Sequence, residues 1–112
     1  FRRVLFRSDG ALSAMKKAII LIEQGDIPGK GQAISKAINI ISNGLQSGLN
    51  HEIGGDLAAN LDSLYDYMTR RLLQANLHND INAINEVVEL LNNIADAWKE
   101  IGPHSQNMRD NY

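Results

Sequence analysis

The chain has 112 residues, of which 44% are hydrophobic, and its formal net charge is −2. This composition suffices for one folded domain with one modest core, and it excludes a chain that is disordered throughout. The nearly neutral charge and the lack of a basic cluster disfavour nucleic acid as a partner. The chain has zero cysteines, which excludes disulfides and thiolate chemistry and fits a reducing cytoplasm. No apolar run approaches the roughly 20 residues of a membrane span, and no secretory signal is apparent, so we expect a soluble domain.

The N-terminal segment 1–8 differs in character from the residues that follow it. It can be back-translated as TTC AGA CGT GTG CTC TTC CGA TCT, which resembles a widely used short-read sequencing adapter. We therefore expect residues 1–8 to be a non-native, adapter-derived segment and native sequence to begin near Asp9. The alternative is a native basic amphipathic N-terminus. If the segment is non-native, Phe1, Val4, Leu5 and Phe6 can still cover part of an open seam in a helical bundle by accident, and such packing would not show that they are native.

The first predicted helix covers residues 9–24. It carries Leu12, Met15, Ile19 and Ile22 at helical spacing on one face, and Gly25 is expected to end it.

Residues 25–31 superficially resemble a phosphate-binding loop. The spacing is wrong for one, no Ser or Thr follows Lys30, and no strand precedes the segment. We expect a turn instead, in which Asp26 caps the next helix and Pro28 lies in the first helical turn.

The second predicted helix covers residues 32–47, and residues 49–55 are expected to form a loop. Ile40 broadens the apolar stripe of this helix. The stripe itself consists of Ile34, Ala37, Ile38, Ile41 and Leu45.

The third predicted helix begins at Gly54-Gly55-Asp56 and ends near Asn76. Tyr65 and Tyr67 cannot lie on the same face as Asp66, so one ring is expected in the core and the other towards solvent or a partner. The expected core stripe consists of Leu57, Leu61, Leu64, Met68 and Leu72.

The fourth predicted helix is capped by Asp80 and stopped by Gly102-Pro103, and residues 103–112 are expected to be a flexible tail. Because the connections are short, neighbouring helices must run antiparallel. We therefore predict an all-α, antiparallel, up-and-down four-helix bundle over residues 9–102. The stripe of this last helix is Ile81, Ile84, Val88, Leu91, Ile94 or Ala95, Trp98 and Ile101.

The ionisable residues do not form a pattern typical of catalysis or metal binding. The three histidines are not paired at helical spacing, and neither Glu86 nor Glu89 is followed three residues later by the histidine that a bundle di-iron site requires. Asp62 and Asp66 lie one turn apart, but Asp66 also precedes Arg70 at the spacing of an exposed ion pair. We predict no enzyme activity, no metal site and no cofactor.

Residues 64–68, Leu-Tyr-Asp-Tyr-Met, are followed by Arg70-Arg71-Leu72 and by Ala75-Asn76. This string resembles the flagellar secretion chaperone family FliS. In that family an Asp-Gly-Ala step, here Asp9-Gly10-Ala11, lies within the first helix. The resemblance therefore covers residues 9–101 and implies that the first helix is truncated.

The resemblance implies a cytoplasmic export chaperone of the bacterial cytosol, without membrane insertion. Such proteins bind the C-terminal segment of flagellin, prevent its premature polymerisation and hold it for the flagellar type III export apparatus. No nucleotide or metal is implied, and nucleic acid is not an expected partner. The candidate residues for the partner groove are Ile38, Ile41, Leu45, Leu61, Leu64 and Tyr65, with Asn60 and Arg71 as candidate hydrogen-bonding residues.

Two interpretations remain open for the extra apolar residues that lie beside the stripes, which are Ile27, Ile40, Val87 and Leu90. They broaden the core face, or they leave apolar surface for an amphipathic partner helix. The rival function is a self-associating structural bundle, which would oligomerise with concentration and would not respond to flagellin.

Resequencing of the locus from intact genomic DNA tests the origin of residues 1–8. We expect the reading frame upstream of Asp9 to encode a different segment. A continuous frame through the eight codons would show that the segment is native.

Overall fold

The computed structural model describes the backbone of residues 2–110 and the side chains of residues 2–100. Every regular element in this range is helical, and no described helix is long and apolar enough to cross a membrane. The elements are α1 (Arg2–Gln24), α2 (Ile27–Asn39), a π-helical segment (Ile40–Gln46) that continues α2, α3 (His51–His78) and α4 (Ile81–Asp110). The stretch Ile40–Gln46 is called the π segment below.

The helices pack in a ring in chain order. Helix α1 contacts α2, the π segment and α4, while α3 contacts α2, the π segment and α4. Over the described residues, α1 and α3 lie diagonally across the core, as do α2 and α4. With short connections this arrangement is an up-and-down four-helix bundle, elongated to 54 × 23 × 19 Å. The predicted fold class is confirmed.

The connection between α1 and α2 has the predicted turn chemistry. Gly25 adopts a φ of 75°, and the Asp26 carboxylate accepts a hydrogen bond of 3.0 Å from the Gly29 amide. Pro28 lies in the first turn. Because Asp26 is the N-cap, α2 begins directly after it at Ile27, and not at residue 32 as predicted.

The first helix also starts earlier than predicted, at Arg2 and not near Asp9. Nothing in residues 2–8 breaks a helix. Val4 packs against the core and accepts a hydrogen bond from the buried Ser8 hydroxyl, whereas Phe6 is exposed. Phe1 lies outside the described residues.

Helix α3 contains a break that separates one short turn from the long helix. Asn50 caps the turn by accepting from the Glu52 and Ile53 amides, and Gly55 then interrupts the helix with φ 53° and ψ −125°. The expected loop at 49–55 is therefore partly helical. At the other end, α3 continues two residues beyond Asn76, to His78, and Asn79 ends it in a left-handed conformation with φ 54°.

The buried face of α3 differs from the predicted stripe at two positions, each of which is shifted by one residue. Tyr65 is buried and 2% exposed, whereas Leu57 and Leu64 are exposed to 59% and 37%. Both sets of positions repeat at helical spacing, and packing against the neighbouring helices selects the set that starts at Ala58. Of the two tyrosines, Tyr65 is therefore the core residue.

Helix α4 begins as predicted but does not end as predicted. The Asp80 carboxylate accepts from the Ala83 amide at 3.2 Å. Val87 is fully buried while Val88 is only partly buried, the reverse of the prediction. The helix passes Gly102-Pro103 and reaches Asp110, although a proline within a helix cannot donate the backbone hydrogen bond of its turn. The flexibility of residues 103–112 stays a prediction, and Asn111 and Tyr112 lie outside the described residues.

The buried ammonium of Lys30 links two ends of helices. Lys30 is only 5% exposed, and its Nζ donates to the Asn76 carbonyl at 2.8 Å and to Asn79 Oδ1 at 2.7 Å. Carbonyls in the last turn of a helix have no partner within that helix, so the lysine caps α3 from the first turn of α2. The sequence contains no signal for this contact, because the partners are far apart in the chain.

Replacing Lys30 by methionine should destabilise the bundle by about 1–3 kcal/mol, because two oxygens near the end of α3 lose their donor. Urea unfolding should show a lower midpoint with an unchanged slope. Lys36→Met is the matched control, since Lys36 is exposed on the same helix. Equal midpoints for the two variants would show that the Lys30 contacts contribute no net stability.

Candidate functional site

An apolar cleft of about 500 Å³ opens at the end of the bundle opposite Lys30. It lies between the first turns of α1, the π segment, the start of α3 and the C-terminal half of α4. The lining residues are Arg3, Val4, Arg7, Gly44, Leu45, Gly48, Leu49, Asn50, Ile53, Gly54, Leu57, Ala58, Leu61, Tyr65 and Trp98. This space is called the cleft below.

The cleft is open because small residues line it where larger side chains would fill it. Gly44, Gly48 and Gly54 contribute only backbone, and Ala58 contributes a single methyl group. A Cβ atom at Gly54 would lie 2.8 Å from the Ala58 methyl, which is closer than two carbon atoms approach. Glycine at this position therefore lets the first turn of α3 pack closely over Ala58 of the same helix.

The cleft has an apolar floor and an apolar rim. Leu45, Leu61 and Tyr65 form the floor and are buried, and burial raises the pKa of the Tyr65 hydroxyl, so this group stays uncharged. Ile53 and Leu57 form the rim and are largely exposed. Clustered apolar surface of this kind is typical of sites where another apolar surface binds.

On the α1 side the cleft is bordered by two arginines, Arg3 and Arg7. The Arg7 guanidinium donates to the Gly44 carbonyl at 2.8 Å and so joins α1 to the π segment. Both arginines belong to the segment that we expect to be non-native. The floor and rim residues lie on other elements, the π segment and α3.

Three of the predicted groove residues, Leu45, Leu61 and Tyr65, lie together on the cleft floor. Their joint position arises because the C-terminal end of α2 faces the N-terminal half of α3 in an antiparallel bundle.

The other apolar candidates lie elsewhere. Ile41 is fully buried in the core, and Ile38 is partly buried against it. Leu64 and Asn60 are exposed on α3 outside the cleft lining. The binding roles of all these residues stay predictions.

Sequence reasoning missed Leu57, Ile53 and Trp98 as cleft residues. It assigned Leu57 and Trp98 to the core and Ile53 to a loop. A signal for the separate turn that carries Ile53 was the Gly54-Gly55 pair, because Gly55 interrupts the helix.

Arg71 is engaged in a cluster between α3 and α4. Its Nε lies 2.7 Å from Glu86 Oε1, and its Nη1 donates to Gln74 at 3.0 Å. The Tyr67 hydroxyl donates to the other Glu86 oxygen at 2.9 Å. These contacts with Arg71 and Tyr67 hold the pKa of Glu86 below its ordinary value of 4.5. The hydrogen bond to Glu86 raises the pKa of Tyr67, because the neutral phenol is the donor.

The described residues include no group of three or more His, Cys, Asp or Glu side chains that could hold a metal ion.

Fold and cleft together define a class of protein: a small helical bundle with one closed end and an apolar cleft at the other. The family model described as "Flagellar protein FliS" matches residues 2–105 of the chain.

Curated relatives agree with this match. The chain is 63% identical over 95 residues to the flagellar secretion chaperone FliS of Salmonella typhimurium, covering 85% of this chain and 70% of the relative. It is 54% identical over 92 residues to the protein of the same name from Escherichia coli, covering 82% and 68%. For the Vibrio cholerae protein of that name the identity is 40% over 99 residues, covering 88% and 72%. The chain belongs to the FliS family of flagellar secretion chaperones, and its relatives are named chaperones, not enzymes.

The Glu86 cluster gives a pH-dependent prediction. The pKa of Glu86 is lowered in the folded state, so its contribution to stability is present above the unfolded pKa and is lost as the pH falls through the folded pKa. Glu86→Gln should therefore melt below the parent chain at neutral pH, and the difference should vanish as the pH drops below 4.5. Glu89→Gln, which alters an exposed glutamate one turn along α4, is the control. A difference that persists at low pH would contradict the ion-pair explanation.

Proposed function

We propose that the chain binds the C-terminal segment of flagellin in the cleft, prevents its premature polymerisation and presents it to the flagellar type III export apparatus. One observation supports the proposal above all: a bundle of the FliS family carries an open apolar cleft with exposed leucine and isoleucine at its rim. Binding would occur in the bacterial cytosol, and it requires no catalytic group or cofactor.

The physical basis is the docking of an amphipathic helix in a groove. A disordered flagellin tail would fold as it binds, and it would bury its apolar face against the cleft floor. The ordering of the tail opposes binding, while the burial of apolar surface favours it. The opposition of these two terms makes such a complex specific but releasable, as export requires.

The cleft residues suit different roles in this complex. Leu45, Leu61 and Tyr65 would form the surface on which the bound helix rests. Leu57 is placed to cover the helix from the side, since 59% of its surface is free in the unbound chain. Trp98 closes the cleft from α4 and offers a large apolar contact area.

The remaining predicted residues would act at the edges. Asn60 lies one turn from Leu57 with an exposed amide that can bond to the backbone of a bound segment. Leu64 would extend the apolar contact along α3. Ile38 and Ile41 would support the wall from the core side. Arg71 could reach a partner acid only by leaving Glu86.

Calorimetric titration with a peptide from the flagellin C-terminus, together with circular dichroism, tests the proposal. We expect saturable binding, a negative heat-capacity change and a gain of helix. A folded chain that gives no heat of binding would contradict the proposal. Oligomerisation that rises with concentration and ignores the peptide would favour the self-associating structural bundle instead.

Leu57→Asp should weaken peptide binding by roughly tenfold or more, because it places a charge against the bound apolar face. Leu57 is exposed in the free chain, so the melting temperature should barely change. Leu77→Asp is the matched control, since Leu77 is also an exposed leucine of α3, lies outside the cleft and is 77% exposed. Equal affinities of the two variants would place the binding site elsewhere on the bundle.

A further inference from the structure

The floor of the cleft contains one polar group, the hydroxyl of Tyr65. Leu45 and Leu61 lie beside it on the floor, and Tyr65 as a whole is only 2% exposed. Because burial raises the pKa of this hydroxyl, it is protonated at neutral pH and can donate a hydrogen bond. The floor therefore presents a single donor within an apolar surface.

The Tyr65 hydroxyl forms no hydrogen bond with any described residue. Among the described side chains, the Thr69 hydroxyl is the one buried polar atom that lacks both a partner and contact with solvent. The Tyr65 oxygen is not such an atom, so its unbonded hydroxyl must reach the open space of the cleft that the residue lines. The donor is thus directed at the place where an occupant would lie.

The side chains that line the cleft do not supply the missing acceptor. Apart from Tyr65, only Asn50 in this lining has a side chain with an acceptor oxygen. That oxygen already accepts from the Glu52 and Ile53 amides, each at 3.1 Å. The arginines at the α1 border are donors only. An acceptor for Tyr65 must therefore come from solvent or from the occupant of the cleft.

The unpaired hydroxyl makes binding depend on the chemistry of the occupant. A helix that covers the floor displaces water, and a hydroxyl that is then buried without a partner opposes binding. A helix that brings an acceptor to the same point replaces the lost hydrogen bond. One polar group in an otherwise apolar pocket thus discriminates between segments of similar hydrophobicity.

We propose that the Tyr65 hydroxyl is the specificity-determining contact of the cleft: it donates a hydrogen bond to an acceptor that the bound segment carries within its apolar face. The acceptor is a side-chain oxygen or a backbone carbonyl of the flagellin C-terminal segment. This inference rests on the proposed function, because that segment is the occupant. A segment whose face is apolar throughout binds more weakly, because it leaves the hydroxyl without a partner.

Tyr65→Phe tests the inference, because it removes the hydroxyl and keeps the ring. The hydroxyl has no partner in the free chain, so the melting temperature should barely change. Affinity for a flagellin C-terminal peptide, measured by calorimetry, should fall about three- to tenfold. Tyr67→Phe is the matched control: its hydroxyl donates to Glu86 outside the cleft, so the affinity should be kept.

The possible outcomes separate this inference from the proposed function. Equal or higher affinity of the Tyr65→Phe variant, or an equal loss in the Tyr67→Phe variant, overturns the inference and leaves the proposed function standing. A folded parent chain that does not bind the peptide overturns both.

Variants of the peptide distinguish the two sources of the acceptor. Each polar residue of the peptide is replaced in turn by an apolar residue of similar size, and each variant is titrated into the parent chain and into Tyr65→Phe. A replacement that weakens binding to the parent chain but not to Tyr65→Phe identifies a side-chain acceptor. If Tyr65→Phe loses affinity and no replacement behaves in this way, the acceptor is a backbone carbonyl.

Discussion

The closure of one end of the bundle by the Lys30 ammonium is the interaction on which the arrangement of the helices depends. It joins the start of α2 to the last turn of α3 and to the residue that precedes the cap of α4. A lysine is rarely buried, and burial of its charge is tolerated only when donors and acceptors match. Here the Asn76 carbonyl and Asn79 Oδ1 accept hydrogen bonds from the Lys30 ammonium, and the same bonds hold the helix ends together.

The two ends of the bundle differ because their side chains differ. At the closed end, tight turns at Gly25 and Asn79 and the capping residues Asp26 and Asp80 satisfy the free backbone groups. At the open end, glycines replace side chains, and the helices enclose space instead of filling it. An interior normally packs without such voids. The cleft is thus a departure from close packing at the open end of the bundle.

That departure connects stability with the proposed function. Exposed apolar residues at the rim contribute little to the folded state of the free chain, so they are available for a partner. The π segment lies at the same place and forms one wall of the cleft through Gly44 and Leu45.

The sequence by itself determined a great deal about this protein. Apolar residues at helical spacing, with Asp26 and Asp80 as caps and Gly25 as a stop, were sufficient to predict four antiparallel helices. The string around residues 64–76 was sufficient to identify the family, because it specifies side-chain identities and not only polarity. Local signals of this kind depend on neighbours in the chain, and they are therefore readable from it.

Tertiary structure alone decided the phase of α3, the burial of Lys30 and the π register. Leu57 and Ala58 both fit a helical stripe, and only packing against the neighbouring helices selects Ala58. Lys30 is buried because Asn76 and Asn79, more than forty residues later, provide its acceptors. Likewise, Leu45, Leu61 and Tyr65 share one cleft floor because two antiparallel helices face each other there. These features depend on contacts between distant segments, which no local pattern encodes.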